Sequence, residues 1–124
     1  MDRIKLAIPC IGQASLRAEV SPHFGHCDSY AIVTIEDGEV KAMEPLSNGE
    51  HSDCSESVRA LLASKVNLMV VGGMGMRPYM ALKDLGIEVR CAITGTVAEA
   101  IESYLKGETL SMTQDTMCKC HERD

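Results

Sequence analysis

Two imidazoles and a thiol fall within five residues at His23-Phe24-Gly25-His26-Cys27, directly after Ser21-Pro22. Imidazole nitrogen and thiolate sulfur are ligands of zinc, copper and iron-type centres. Gly25, lacking a Cβ, lets the backbone pass close to a bound group. A loop whose histidine caps a strand and whose cysteine packs inward accounts for the same residues equally well. A second pair, His51-x-x-Cys54, sits at the expected entrance of a helix. There the partial positive charge of the helix end lowers a thiol's pKa and favours an anion. Taken alone, the pair reads more simply as a solvated turn. A third feature is Gly72-Gly73-Met74-Gly75-Met76-Arg77, a strand–glycine–helix turn of the kind that offers backbone N–H groups to an anion. Arg77 adds a planar fork for carboxylate or phosphate; the plainer reading is a tight connection. The fourth is Cys118-Lys119-Cys120-His121, a soft-metal chelate even in an unstructured segment, or else a tail without a role.

Enzyme signatures do not accompany these groups. The Gly72–Gly75 turn has neither the Gly-Lys-Ser/Thr of a phosphate loop nor the dinucleotide fingerprint with its downstream acid. There is no nucleophile elbow and no His-Glu-x-x-His helix. The first strand has no carboxylate beyond Asp2 for a two-metal nuclease. The expectation is a protein that binds and does not turn over a substrate.

The elements that must position these residues follow from periodicity. Residues Arg3 to Pro9 alternate as a strand. Cys10 to Asp28 reads as a long loop with one helical turn near Ser15 to Glu19, and a loop of that length in a compact domain is functional or mobile. Ser29 to Glu36 is rich in β-branched residues and is joined by Asp37-Gly38, a hairpin signal, to a partner strand over Glu39 to Leu46. Ser52 or Asp53 can cap a helix, with Glu56 placed to complete a capping box from Asp53, and the helix runs to about Lys65, burying Val58, Leu61 and Leu62. Asn67 to Val71 reads as a buried strand. A helix follows from about Pro78 to the C-cap Gly86. Ile87 to Ile93 is a fifth strand, and Thr96 with Glu99 caps a last helix ended by Gly107. The order β-β-β-α-β-α-β-α predicts an α/β domain with a five-stranded mixed sheet and helices packed on its faces. The domain is expected over 1–110, with 111–124 a flexible tail carrying cysteine and histidine. The polar composition of that tail begins at Glu108.

Bulk properties narrow the partners. The 124 residues are 45% hydrophobic with one Phe, three Tyr and no Trp, so the core is aliphatic. A net charge of −6 opposes nucleic-acid binding. Apolar runs are too short for a membrane span, and the N-terminus lacks a signal-peptide apolar region, so the expectation is a soluble, cytoplasmic protein. Six cysteines in a reducing compartment are not expected to pair. Cys91, among Val89, Ala92 and Ile93, reads as a free core cysteine, and the rest, near histidines, point toward metal.

Three of these stretches together resemble the dinitrogenase iron–molybdenum cofactor biosynthesis family, which includes NifX-like and NafY-like carriers and the C-terminal domain of NifB. Ser21-Pro22-His23-Phe24-Gly25-His26-Cys27 is similar to its HFG loop. Val70 to Gly75 with Ala81 to Ile87 is similar to its glycine turn and helix. Gly95 to Ile101 with Tyr104 to Glu108 is similar to its final helix. The resemblance, over roughly Arg3 to Leu110, implies a ribonuclease H-like fold without nuclease activity. It also implies a role related to nitrogen fixation: carrying or scaffolding an iron–molybdenum cofactor or another Mo/Fe–sulfur cluster, in exchange with cluster-donor or acceptor proteins. The family's cluster-associated histidine maps to His23. His26, Cys27, His51 and Cys54 are further candidate ligands, with Cys118, Cys120 and His121 in the tail. Gly25, Gly72, Gly73, Gly75 and Arg77 are candidate cofactor contacts. The alternative is a zinc-stabilised regulatory or interaction module of the same fold.

Overall fold

The computed structural model describes residues 3–21, 28–47, 59, 61–71, 76–91 and 95–111. The first strand, β1 (Arg3–Ile11), is followed by β2 (Glu19–Val20), then by the hairpin β3 (Ser29–Glu36) and β4 (Glu39–Ser47). Next come β5 (Leu68–Val71), α1 (Met76–Asp84), β6 (Glu88–Cys91), α2 (Val97–Leu105) and β7 (Leu110–Ser111). Residues 59 and 61–63 are helical and precede β5.

The strands form one seven-stranded mixed sheet in the order β4-β3-β1-β5-β6-β7, with β2 pairing on β1. The expected count of five strands is corrected by β2 and β7. Both are two-residue ladders, too short to carry an alternating pattern, and their main-chain partners are supplied by the folded sheet. β2 falls in the stretch read as one long loop, whose expected helical turn is instead a hydrogen-bonded turn from Ser15 O to Ala18 N. The stretch read as tail from Glu108 likewise begins inside the sheet: Thr109 is buried, and Leu110 and Ser111 pair with Cys91 and Arg90.

β1, β3 and β5 are apolar on both faces, as strands covered on both sides must be. On one face, Ala7, Tyr30, Ile32, Met69, Val71, Val89 and Cys91 pack with Leu61 and with Tyr79 and Leu82 of α1. On the other, Leu6, Ile8, Cys10, Val33, Leu68 and Val70 pack under Val97, Ala100 and Ile101 of α2. Leu62, expected in the core, is 44% exposed, because Leu61 already occupies the inward position. Asp37 (φ 52°) and Gly38 (φ 79°) both take the left-handed region, which the two-residue hairpin turn needs to match strand twist. α2 carries the expected capping box: the Thr96 side chain accepts from the Glu99 amide and the Glu99 side chain accepts from the Thr96 amide. No helix among the described residues is long and apolar enough to cross a membrane.

Candidate functional site at the carboxyl edge of the sheet

Most of the proposed ligand residues lie outside the described residues: His23, Gly25, His26 and Cys27 within 22–27, His51 and Cys54 within 48–58, Gly72, Gly73 and Gly75 within 72–75, and Cys118, Cys120 and His121 within 112–124. Arg77 belongs to the first turn of α1, and its side chain also falls outside what is described. What the structure gives is the frame from which these segments depart.

That frame is one edge of the sheet. β1 and β5 run parallel, with Ala7 beside Met69, and β5 and β6 run parallel, with Val71 beside Cys91. Cys10 at the end of β1 lies beside Ser29 at the start of β3, and Ser29 beside Ser47 at the end of β4. The 48–58 segment therefore leaves from Ser47, the 72–75 turn from Val71 and the 92–94 connection from Cys91, all at the same end. The 22–27 loop leaves and returns there too. Its flanking residues Ser21 and Asp28 donate their amides to the carbonyls of Pro9 (2.8 Å) and Cys10 (3.0 Å).

β1 is also where the sheet changes direction of travel. It has antiparallel β3 on one side and parallel β5 on the other. From β1 the chain goes by way of β2 to β3, whereas from β5 it goes through α1 to β6. Crevices outside the carboxyl ends of strands at such a switch point are where open α/β sheets bind ligands.

The base of the 22–27 loop is further tied by side chains. The Gly12 amide donates to Asp28 Oδ2 at 2.6 Å, and the Ser29 hydroxyl donates to the Gly12 carbonyl at 2.7 Å. Gly12 has φ 75°, a backbone that an L side chain occupies only with strain. Gly12, Asp28 and Ser29 are positioning residues that the sequence reading did not single out. The adjacency of Asp28 to Cys27 was the available signal, but the partner sixteen residues away is not readable from spacing.

Not every helix start at this edge is open to a ligand. At α2, the Val97 amide donates to Ala18 O (2.9 Å), the Ala98 amide to Leu16 O (3.0 Å) and the Glu99 amide to Thr96 Oγ1 (3.2 Å). The first-turn donors an anion would use are thus taken by the chain itself.

The cysteines are placed differently from expectation. Cys91 is buried, 3% exposed, but it is not a free thiol: it is disulfide-bonded. The core thiol is instead Cys10, fully buried, with its Sγ 3.3 Å from the Ile8 carbonyl. Local apolar context marked Cys91 as buried correctly; pairing depends on chain brought close in space. Among the described residues no group of three or more His, Cys, Asp or Glu side chains could hold a metal ion.

A hollow of about 530 Å³ lies beside the Asp37-Gly38 turn and the start of β1, lined in part by Ile4, Ile35, Arg90 and Tyr104. Its guanidinium is already engaged: Arg90 donates to Glu88 (2.8 Å), to Thr109 Oγ1 (2.6 Å) and to Thr109 O (2.9 Å). Burial, followed by the charge of Glu88, raises the Tyr104 hydroxyl above its ordinary pKa.

Comparison with known proteins agrees with this frame. Residues 5–107 match the family described as dinitrogenase iron-molybdenum cofactor. Protein MJ0580 of Methanocaldococcus jannaschii is 34% identical over 109 residues, covering 85% of this chain and 88% of that protein. Among solved structures, the apo form of the orange protein from Desulfovibrio gigas superposes with a TM-score of 0.77 at 23% identity, over 88% of this chain and 92% of that one. A candidate NifB protein from Thermotoga does so with a TM-score of 0.73 at 26% identity, over 90% and 98%. With a family match over most of its length, this chain belongs to the dinitrogenase iron-molybdenum cofactor family.

Proposed function

We propose that the chain is a non-catalytic carrier or scaffold for an anionic metal–sulfur cluster, an iron–molybdenum cofactor or a related Mo/Fe cluster, held at the carboxyl edge of a ribonuclease H-like domain. The observation that carries this reading is the pinning of Ser21 and Asp28 to the carbonyls of Pro9 and Cys10 near the end of β1. It fixes the ends of the His23-bearing loop at the switch point, beside the strand that leads into Gly72 to Gly75. Membership of a family described by the iron-molybdenum cofactor supports this class of cargo.

The net charge of −6 repels an anionic cargo at long range, so binding needs local donors: imidazole at His23, main-chain N–H groups at the glycine turn and Arg77. Loose ligation by few protein groups suits a carrier, because the cargo must leave for an acceptor. The setting is the cytoplasm, where cluster-donor and acceptor proteins are the partners.

The test is anaerobic isolation of the full chain from its native host, followed by a visible spectrum and analysis for Fe, Mo, Cu and Zn. Broad charge-transfer absorption with Fe or Mo near stoichiometry is expected, as is its loss from His23→Ala on size exclusion with the melting temperature unchanged. Zinc alone, or full retention by His23→Ala, overturns the reading.

A further inference from the structure

The hollow beside the Asp37-Gly38 turn lies at the end of the sheet opposite the candidate ligand segments. Ile4, in its lining, pairs with Ile35 next to that turn. From Ile4 along β1 to Cys10 is about 20 Å at the rise of a strand. α2 ends at Leu105, and Gly107, at φ 74°, turns the chain toward Thr109 and β7. The hollow, about 530 Å³, lies between that helix end and the hairpin turn. Its lining is mainly apolar and includes Ile4, Ile35, Tyr104 and Leu105. A concavity of this size and character suits a small organic molecule held by a few polar groups.

The charged residues of the described lining are Asp37 and Arg90. The Arg90 charge is offset by Glu88 at 2.8 Å. The Asp37 charge is not: among the described residues its carboxylate has no hydrogen bond or ion pair. Lys41 of the same hairpin pairs with Glu39 (3.0 Å), and Lys106, next to Leu105, pairs with Glu102 (2.6 Å). The lining thus joins an apolar wall to one carboxylate whose charge the chain does not meet.

We propose that this hollow binds a small organic cation, a protonated amine on an apolar body, with its ammonium at Asp37. The carboxylate accepts a charge-assisted hydrogen bond from the ammonium, and the aromatic face of Tyr104 adds attraction for a cation. The body takes the place of water against Ile4, Ile35 and Leu105. An organic anion is disfavoured, since it meets Asp37 at short range and a net charge of −6 at long range. The site goes beyond the cluster reading and does not depend on it, because it shares no residue with the opposite edge.

The probe is 2-phenylethylammonium, titrated into the full chain at low ionic strength and followed by the isoleucine and leucine methyl signals in NMR. Saturable shifts are expected at Ile4, Ile35 and Leu105. The anion 3-phenylpropanoate, of similar size, should bind about tenfold or more weakly, because like charges face each other. Asp37→Asn should weaken the ammonium by about threefold, the scale of one exposed ion pair. Asn-Gly satisfies the same left-handed turn, so this variant removes the charge and keeps the hairpin, and unchanged methyl signals away from the hollow verify its fold. No saturable shift at these methyls, equal binding of the carboxylate, or undiminished binding by Asp37→Asn overturns the proposal. The titration contains no metal, so failure of the cluster reading at His23 leaves all three readouts in place.

Discussion

The Gly12 amide and the Asp28 carboxylate meet at 2.6 Å, and this bond closes the neck of the segment that carries His23. Ser29 adds a second tie by donating to the Gly12 carbonyl. Two main-chain bonds to β1 complete the neck. The two ends of the segment are thus fixed to the sheet.

Asp28→Ala should leave the Gly12 amide without its acceptor and cost about 1 kcal/mol, because the bond is charge-assisted but exposed. Asp28→Asn keeps an acceptor oxygen and should recover part of that loss. Urea unfolding gives the energies. On the carrier reading, Asp28→Ala also lowers the metal-to-protein ratio surviving size exclusion, with His23 intact. Full retention by Asp28→Ala would show that the neck does not position the ligand.

Three helices end with the same paired hydrogen bonds, but only two of them use glycine. Gly86 and Gly107 take φ 81° and 74°, and the equivalent residue of the helix before β5 is Lys65 at φ 62°. Its amide donates to Leu62 O and the Val66 amide to Leu61 O, the pattern that favours glycine at its left-handed position. Lys65→Gly should therefore stabilise by about 0.5–1 kcal/mol, relief of the left-handed strain exceeding the added chain entropy. Gly86→Ala should destabilise by about 1 kcal/mol. Equal midpoints for Lys65→Gly and wild type in urea would remove the strain argument.

Tyr104 links the fold to alkaline pH. Its pKa is raised in the folded protein, first by burial and then by Glu88. The folded state therefore holds the proton where the unfolded state has lost it. Stability is fully present below the ordinary value of 10.0 and falls as pH rises through the folded value. Thermal melts of wild type and Tyr104→Phe across this range should converge at neutral pH, with the wild type falling more steeply above it. Parallel slopes would dissociate Tyr104 from the alkaline loss.

The sequence by itself determined the elements whose signals are local. The β-branched run of β3, the Asp37-Gly38 turn and the Thr96–Glu99 capping box are decided by residues within a turn or two of each other, and all three form as read. The three motifs that resemble the family are also local patterns, and the family match spans them. Tertiary structure alone decided β2 and β7, since two residues become a strand only when a neighbour presents its edge. It decided that Leu61 is core and Leu62 is surface, a matter of how the helix is rotated against the sheet. It decided that Cys91, expected as a free core cysteine, is disulfide-bonded, because pairing depends on distance in space and not on local apolar context. The candidate site divides in the same way. Its candidate residues were picked out as histidine, cysteine and glycine types at short spacing. Its location was not, because the edge exists only once β1, β5 and β6 lie side by side and Asp28 reaches back to Gly12.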